Sequence, residues 1–525
     1  MLDGIDEPFG PVRRFQPALP QGLARFSRKD GLQAPLILDP IGACPQLIED
    51  LVSQGYKVVV CAPNPVDRIL LQFHFDPPTP EVIRSVYADL NLVRQEGQRL
   101  ELHLQEMMAA KCGQCGKRVY CEKYTWNDDD NRLLTKSYNC QCGYGGEFPV
   151  DQEDLALAQK WERSDGLHRS AVVALFSPLP GVDVSDIDQY LGIYSPRVLH
   201  SLNIFANRLQ ALFPEGEKAE CAKLLFLFLA DKCSGMWNPL EGQYRPRQVQ
   251  CPPRRVELNV WQALKEVYNE MLRAERISGV AQYPDLPNAA GVSVFAGSFR
   301  ELAKTEKVPA FADVVTALPR PSQAYWVLSA LWSRWILGCP TEEDFLVVLK
   351  RKRFDWAWYS EALLAIFKRL ANHNGRSGLS LSLFITETEP EFMVKVAYAL
   401  VQAGFGNFTF TASPGELIYL VKSTSYNKNS RKRLNLDEDQ IRQILQDAWP
   451  DYSDPLTYTE VLALLLNKIG EDVAILLEYN QEVLKKDLQG VLEGPLFEDV
   501  AKRQSVETGM WIRKGQIGQT LLSGF

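Results

Sequence analysis

Residues 36–65, LILDPIGACPQLIEDLVSQGYKVVVCAPNP, decide the fold of this chain. Leu36-Ile37-Leu38 is a short, wholly apolar run of the kind that forms a strand buried on both faces. Asp39-Pro40 closes it, and Pro45 to Gln54 follows with helical spacing, ended by Gly55. Lys57-Val58-Val59-Val60-Cys61 is then a second strand. A strand, helix and strand in succession imply a parallel sheet with right-handed crossovers.

Working outward, the same signals return only much later. Val292–Phe295, Ala312–Thr316, Leu379–Thr386 and Leu417–Val421 read as strands with helices between them. The intervening sequence is mostly helical by period: Thr79–Met108, a helix opened by Ser195-Pro196, AKLLFLFLADKC (residues 222–233) and LNVWQALKEVYNEML (residues 258–272). The chain therefore opens an α/β domain, leaves it for about 200 residues, and returns to complete the sheet.

The expected organisation is an arm over 1–33, a first α/β part over 34–110, a cysteine-rich module over 111–150 and a helical insertion over 151–275. The second α/β part covers 276–422, a polar linker 423–436, and a small C-terminal domain 437–525. In that last domain, helices over Asp437–Ala448, Thr459–Ile469 and Glu471–Leu488 precede a short hairpin, which suggests a winged-helix-like unit.

The 525 residues exceed one ordinary core and carry a net charge of −8. No run of 18 apolar residues occurs, and the start, MLDGIDEPFGPVRRF, lacks the pattern of a secretory leader, so a cytoplasmic protein is expected. The acidic total disfavours nucleic acid, but the basic residues are locally grouped. Arg245, Arg247, Arg254 and Arg255 lie in a Pro/Arg/Gln-rich loop, and Arg431, Lys432 and Arg433 lie in the linker. These are the candidate DNA contacts.

Five of the eleven cysteines lie within 31 residues, in KCGQCGKRVYC (111–121) and SYNCQCGYGGEF (137–148). Cys112 and Cys115 form Cys-x-x-Cys-Gly, and Cys140 and Cys142 form the shorter Cys-x-Cys-Gly. Two such turns joined by a hairpin supply the four tetrahedral sulfurs of a structural zinc ribbon, with no open coordination position for chemistry. Cys121 sits mid-strand and is expected to pack.

Three stretches resemble DNA methyltransferases of the amino-methylating type (adenine N6 or cytosine N4) that carry a zinc-ribbon insertion. LDPIGACPQ matches the loop that holds S-adenosylmethionine (SAM), YKVVVCAPNPVDRILL the second strand, and ADVVTALPRPSQAYWVLSALW the catalytic loop. SLSLFITETEPEFMVKVAYALVQAGF matches a late strand–helix unit. The resemblance implies a SAM-methyltransferase-like, Rossmann-like α/β fold, with Asp39, Pro40, Gly42 and Ala62 lining the cofactor pocket.

It also shows where this chain departs from the pattern. Ala43 and Pro45 stand at the loop's glycine positions, and Ala62 stands where a carboxylate accepts the ribose hydroxyls. Ala317, Leu318, Pro319 and Arg320 replace the catalytic D-P-P-Y, although Tyr325 and Trp326 follow closely as candidate stacking aromatics. The losses concern one reaction and fall together. The expectation is a degenerate methyltransferase-like protein, with structural zinc and a vestigial SAM pocket, that binds DNA or an active methyltransferase partner. An active enzyme with atypical loops and a scaffold that does not bind DNA are the alternatives.

Overall fold

A computed structural model of the chain describes residues 35–177, 179–236, 248–305, 308–318, 322–337, 347–351, 354–373, 380–385, 390–413, 416–425, 437–450, 455–471, 481–502, 505–506 and 509–514. The chain divides into two compact units. Of the described residues, one unit comprises those within Asn64–Gly279 and Ser322–Lys352; the other comprises 35–63 and those within Val280–Pro321 and Arg353–Phe525.

The second unit is built on an eight-stranded sheet. Its strands are β1 (Leu36–Asp39), β2 (Lys57–Cys61), β3 (Val280–Gln282), β4 (Gly291–Phe295), β5 (Asp313–Leu318), β6 (Ser380–Ile385), β7 (Phe405–Ser413) and β8 (Glu416–Ser425). The order across the sheet is β3-β4-β2-β1-β5-β6-β8-β7. The first six are all parallel, and β8 runs antiparallel to both β6 and β7. The four sequence-read strands after residue 276 all form, with ends shifted by one to a few residues. Strands β3 and β7 were not expected; β3 is three residues long, too short to carry a period.

The quoted stretch folds as its pattern dictates. Ile37, Leu38, Val58, Val59 and Val60 are buried, as strands covered on both faces require. Helix α1 (Pro45–Ser53) opens with proline at its first position and packs Leu47, Ile48, Leu51 and Val52 inward. Gly55 follows with φ +92°.

Three C-terminal helices, Glu438–Ala448, Tyr458–Glu471 and Gln481–Leu492, adjoin a three-stranded sheet of Leu456–Thr457, Met510–Arg513 and Phe497–Asp499. Their apolar residues, among them Ile441, Leu465 and Leu488, join one core with Leu383 and Phe405 of the main sheet. Asn467 donates to the Phe410 carbonyl at 3.0 Å and accepts from its amide at 2.5 Å, so its side-chain amide caps the β7 backbone as another strand would. Of the helix expected over 471–488, Glu471 ends the preceding helix and the rest is described only from Gln481 onward; of the linker expected over 423–436, residues 423–425 are the end of β8 and 426–436 lie outside the described residues.

The first unit holds a four-stranded antiparallel sheet and a set of helices. Lys123–Asn127 and Arg132–Asn139 form the expected hairpin, with Gly145–Pro149 on one edge and Arg254–Leu258 on the other. The helices include Pro65–Phe75, Pro80–Leu92, Leu100–Glu106, Gln152–Ala174, Pro196–Leu212, Glu217–Lys232 and Val260–Met271. Asp151 caps Gln152–Ala174 in a capping box, and Ser195 caps Pro196–Leu212 ahead of its first-position proline.

Candidate functional site

The four cysteines named from spacing are brought together. Cys112 Sγ lies 3.7 Å from Cys142 Sγ and Cys115 Sγ 3.6 Å from Cys140 Sγ. All four sulfurs fall within 4.8 Å of one another. Zinc–sulfur bonds of about 2.3 Å in a tetrahedron place sulfurs about 3.8 Å apart. The separations therefore match a four-thiolate site and exceed any disulfide bond.

Two backbone turns set this geometry. In the first, the Cys112 amide donates to the Lys117 carbonyl (2.9 Å) and Gly116 N–H to the Cys112 carbonyl (2.9 Å). In the second, the Cys140 amide donates to the Tyr144 carbonyl (3.0 Å) and Gly143 N–H to the Cys140 carbonyl (2.9 Å). The second turn closes one residue sooner, which is why its pair reads Cys-x-Cys. Gly116 and Gly143 have φ of +68° and +88°, values that favour glycine.

The Cys115 amide directed at Cys112 brings that thiol down to about 6, toward the thiolate that binds metal. Cys121 lies between the strands Arg118–Tyr120 and Lys123–Asn127 and not mid-strand; it is fully buried, burial pushes its thiol up to about 11, and it packs with Tyr124, Trp126 and Tyr138, as expected, outside the four-sulfur group. The donor set is compatible with a structural zinc ion.

A buried polar network fixes this sheet to its helices. Glu257 accepts from Arg197 Nη2 (2.6 Å) and Nε (2.9 Å), from Ser195 Oγ (2.6 Å) and from Trp126 Nε1 (2.6 Å). Burial alone would raise its carboxyl, but the Arg197 guanidinium and these hydrogen bonds hold it below the ordinary range. Lys136 is shared between Asp151 (2.7 Å) and Asp154 (2.6 Å).

In the second unit the cofactor-loop residues also gather, at the carboxyl ends of β1, β2 and β5. That is the place where strand order reverses and doubly wound sheets take their ligands. Asp39 is fully buried, and its Oδ1 accepts from Ile41 N–H (3.0 Å), Gly42 N–H (2.9 Å) and Thr316 Oγ1 (2.6 Å). Burial pushes the carboxyl above its ordinary value against these bonds, and Oδ2 has no hydrogen-bond partner among the described residues. Asp39 thus ties the end of β1 to its own loop and to β5.

Gly42, at φ +66°, lies so close to β2 that a Cβ would stand 2.8 Å from Val60 Cγ1 and 2.9 Å from the Cys61 carbonyl oxygen. It serves the packing of the loop. Ala62 is fully buried, with its amide donating to the Phe295 carbonyl (3.0 Å). Ala317 and Leu318 are buried as the last residues of β5; Pro319 and Arg320 lie outside the described residues.

These residues do not fit SAM. The two loop amides, at Ile41 and Gly42, are spent on Asp39, Pro45 has no N–H, and Ala62, at the position the resemblance gives to a ribose acceptor, has only a methyl group.

Other candidates are placed differently. Arg255 is buried over the Trp126 ring, its Nε 3.1 Å from Asp128 Oδ1 but off the hydrogen-bonding direction, so its charge is spent within the unit. Arg254 is exposed at the start of its strand, in a stretch read as loop. Arg245, Arg247, Arg431, Lys432 and Arg433 lie outside the described residues. The Tyr325 hydroxyl is bound to Asp67 and Asn64, which anchors that ring to the helix Pro65–Phe75. Comparisons with family models, curated proteins and solved structures give no match to this chain.

Proposed function

We propose that this chain is a methyltransferase-like protein that has kept the fold and lost the chemistry, and that it acts as a binding subunit for DNA. One observation carries the reading: the positions at the carboxyl ends of β1, β2 and β5, where cofactor and target would meet, hold buried groups that are apolar or, like Asp39 through its Oδ1, bonded within the fold. Asp39 bonds its own loop, Gly42 abuts β2, and Ala62 and Ala317 have no polar side-chain atom. The sheet supports the fold half of the reading, since a mostly parallel α/β sheet, here with β8 alone running against the other strands, is what the resemblance implies.

In this reading the four thiolates hold zinc in a ribbon, which orders the hairpin and its flanking turns when bound and leaves the ion no open position. The small C-terminal sheet and its helices form the winged element. The exposed Arg254 and the basic residues of the loop and linker neutralise phosphates. A catalytically active methyltransferase is the partner expected to supply the chemistry.

Salt-dependent retention on duplex DNA tests the binding half. Log affinity should fall with log salt by about one unit for each phosphate contacted. Weak retention without a salt slope rules out the DNA role and leaves a protein scaffold.

A further inference from the structure

The chain has five histidines, and three of them, His103, His168 and His200, meet in the first unit from three different helices. His200 Nδ1 lies 2.6 Å from His168 Nε2, and the two rings are 3.9 Å apart. The His103 ring is 6.3 Å from that of His200. The Trp161 ring, 4.9 Å from that of His200, and the His168–His200 contact account for two of the rings as packing, but not for His103, whose polar edge apolar side chains would avoid.

His103 adds an independent sign. Its side chain is 8% exposed, and its Nδ1 faces the Gln98 amide at 3.3 Å and the Glu96 carboxylate at 3.9 Å. Its Nε2, on the other edge of the ring, is buried without a hydrogen-bond partner among the described residues. A metal-binding imidazole has this polarity: one nitrogen turned to a carboxylate or amide, the other left as a bare lone pair. Burial lowers the pKa of all three rings, which favours the neutral form that binds metal, and with the neighbouring rings it brings His200 down to about 4.

We propose that His103, His168 and His200 form a second metal site, distinct from the four cysteines, for a divalent first-row transition ion of the zinc–nickel class. Imidazole suits these ions, and three such ligands are the donor set of an open zinc site. Nitrogens bound to one ion at about 2.0–2.1 Å stand about 3.3 Å apart. Rotation of the half-buried His168 and His200 rings away from each other therefore admits the ion. Asp165, one turn before His168 on the same helix, is paired with Arg169 through Oδ2, while its buried Oδ1 has no hydrogen-bond partner among the described residues; it is the nearest further carboxylate on that helix. The site does not depend on the methyltransferase reading.

The test uses the full chain with one equivalent of Zn²⁺ already on its thiolates. Calorimetric titration with further Zn²⁺ should show a second equivalent, which His200→Ala weakens by about 100-fold or more and Cys115→Ser leaves in place. In the wild-type chain, Zn²⁺ should also slow acylation of His168 and His200 by diethyl pyrocarbonate while His74 reacts as before. The footprint decides the matter even if the alanine variant fails to fold. A single equivalent in the wild-type chain, or an unchanged footprint at saturating Zn²⁺, overturns the proposal.

Discussion

Replacing Gly42 with alanine tests whether the loop after β1 is shaped by the fold or held open for a ligand. At φ +66° the backbone is left-handed, which costs a residue with a side chain about 1–2 kcal/mol. The new Cβ would also stand 2.8 Å from Val60 Cγ1 and 2.9 Å from the Cys61 carbonyl oxygen. Val60 is fully buried in a central strand and cannot swing away. Overpacking of that kind costs about 1–3 kcal/mol. The sum, about 2–5 kcal/mol, falls on the pairing of β1 with β2. Hydrogen exchange read by mass spectrometry on peptides from residues 36–63 should therefore accelerate by roughly 30-fold or more, since each 1.4 kcal/mol is about a factor of ten. Unchanged protection there would show that the loop has slack, and the account of Gly42 as a packing residue would fail.

Glu257→Gln leaves the Arg197 guanidinium buried without its counter-charge, and the first unit should lose about 3–5 kcal/mol in denaturant melts; a loss below about 1 kcal/mol would contradict the network's role. Cys115→Ser or prolonged chelation should remove the thiolate-bound metal and raise hydrogen exchange across residues 112–149, whereas retention of full metal content in the variant would move the site elsewhere. Asp39 has its carboxyl raised by burial, so the fold holds its proton more tightly than the unfolded chain does. The stability it contributes is full below about 3.8 and is lost as pH rises through the folded value. Asp39→Asn keeps the Oδ1 acceptor and should flatten that part of the pH–stability curve, and a variant curve parallel to wild type would refute it.

The parts of this protein that were legible in its sequence are those whose cause is local. A run of valines between Lys57 and Cys61, a serine before a proline at 195–196, and two Cys–Gly turns each carry their own geometry. The same locality explains what was missed. Arg254–Leu258 sits at the end of a proline- and arginine-rich loop, and it is a strand because Lys123–Asn127 offers an open edge 130 residues earlier. Arg255 reads as a surface cation until Asp128 and Trp126 are seen around it. His103, His168 and His200 share no motif, since the helices that join them are far apart in sequence. Gly42 was one residue out of place for a cofactor loop, and only the approach of β2 gives the reason it is glycine.

The central claim is that the carboxyl ends of β1, β2 and β5 no longer hold a cofactor. Thermal melting of the full chain with SAM titrated into the submillimolar range tests it most directly. A ligand at about 100 times its dissociation constant stabilises by about 2.7 kcal/mol, which raises the transition of a domain of this size by about 5 °C or more. The account predicts a melting temperature that does not move with SAM. A saturable rise of several degrees would contradict it, and would return Asp39, Gly42 and Ala62 to the lining of a working pocket.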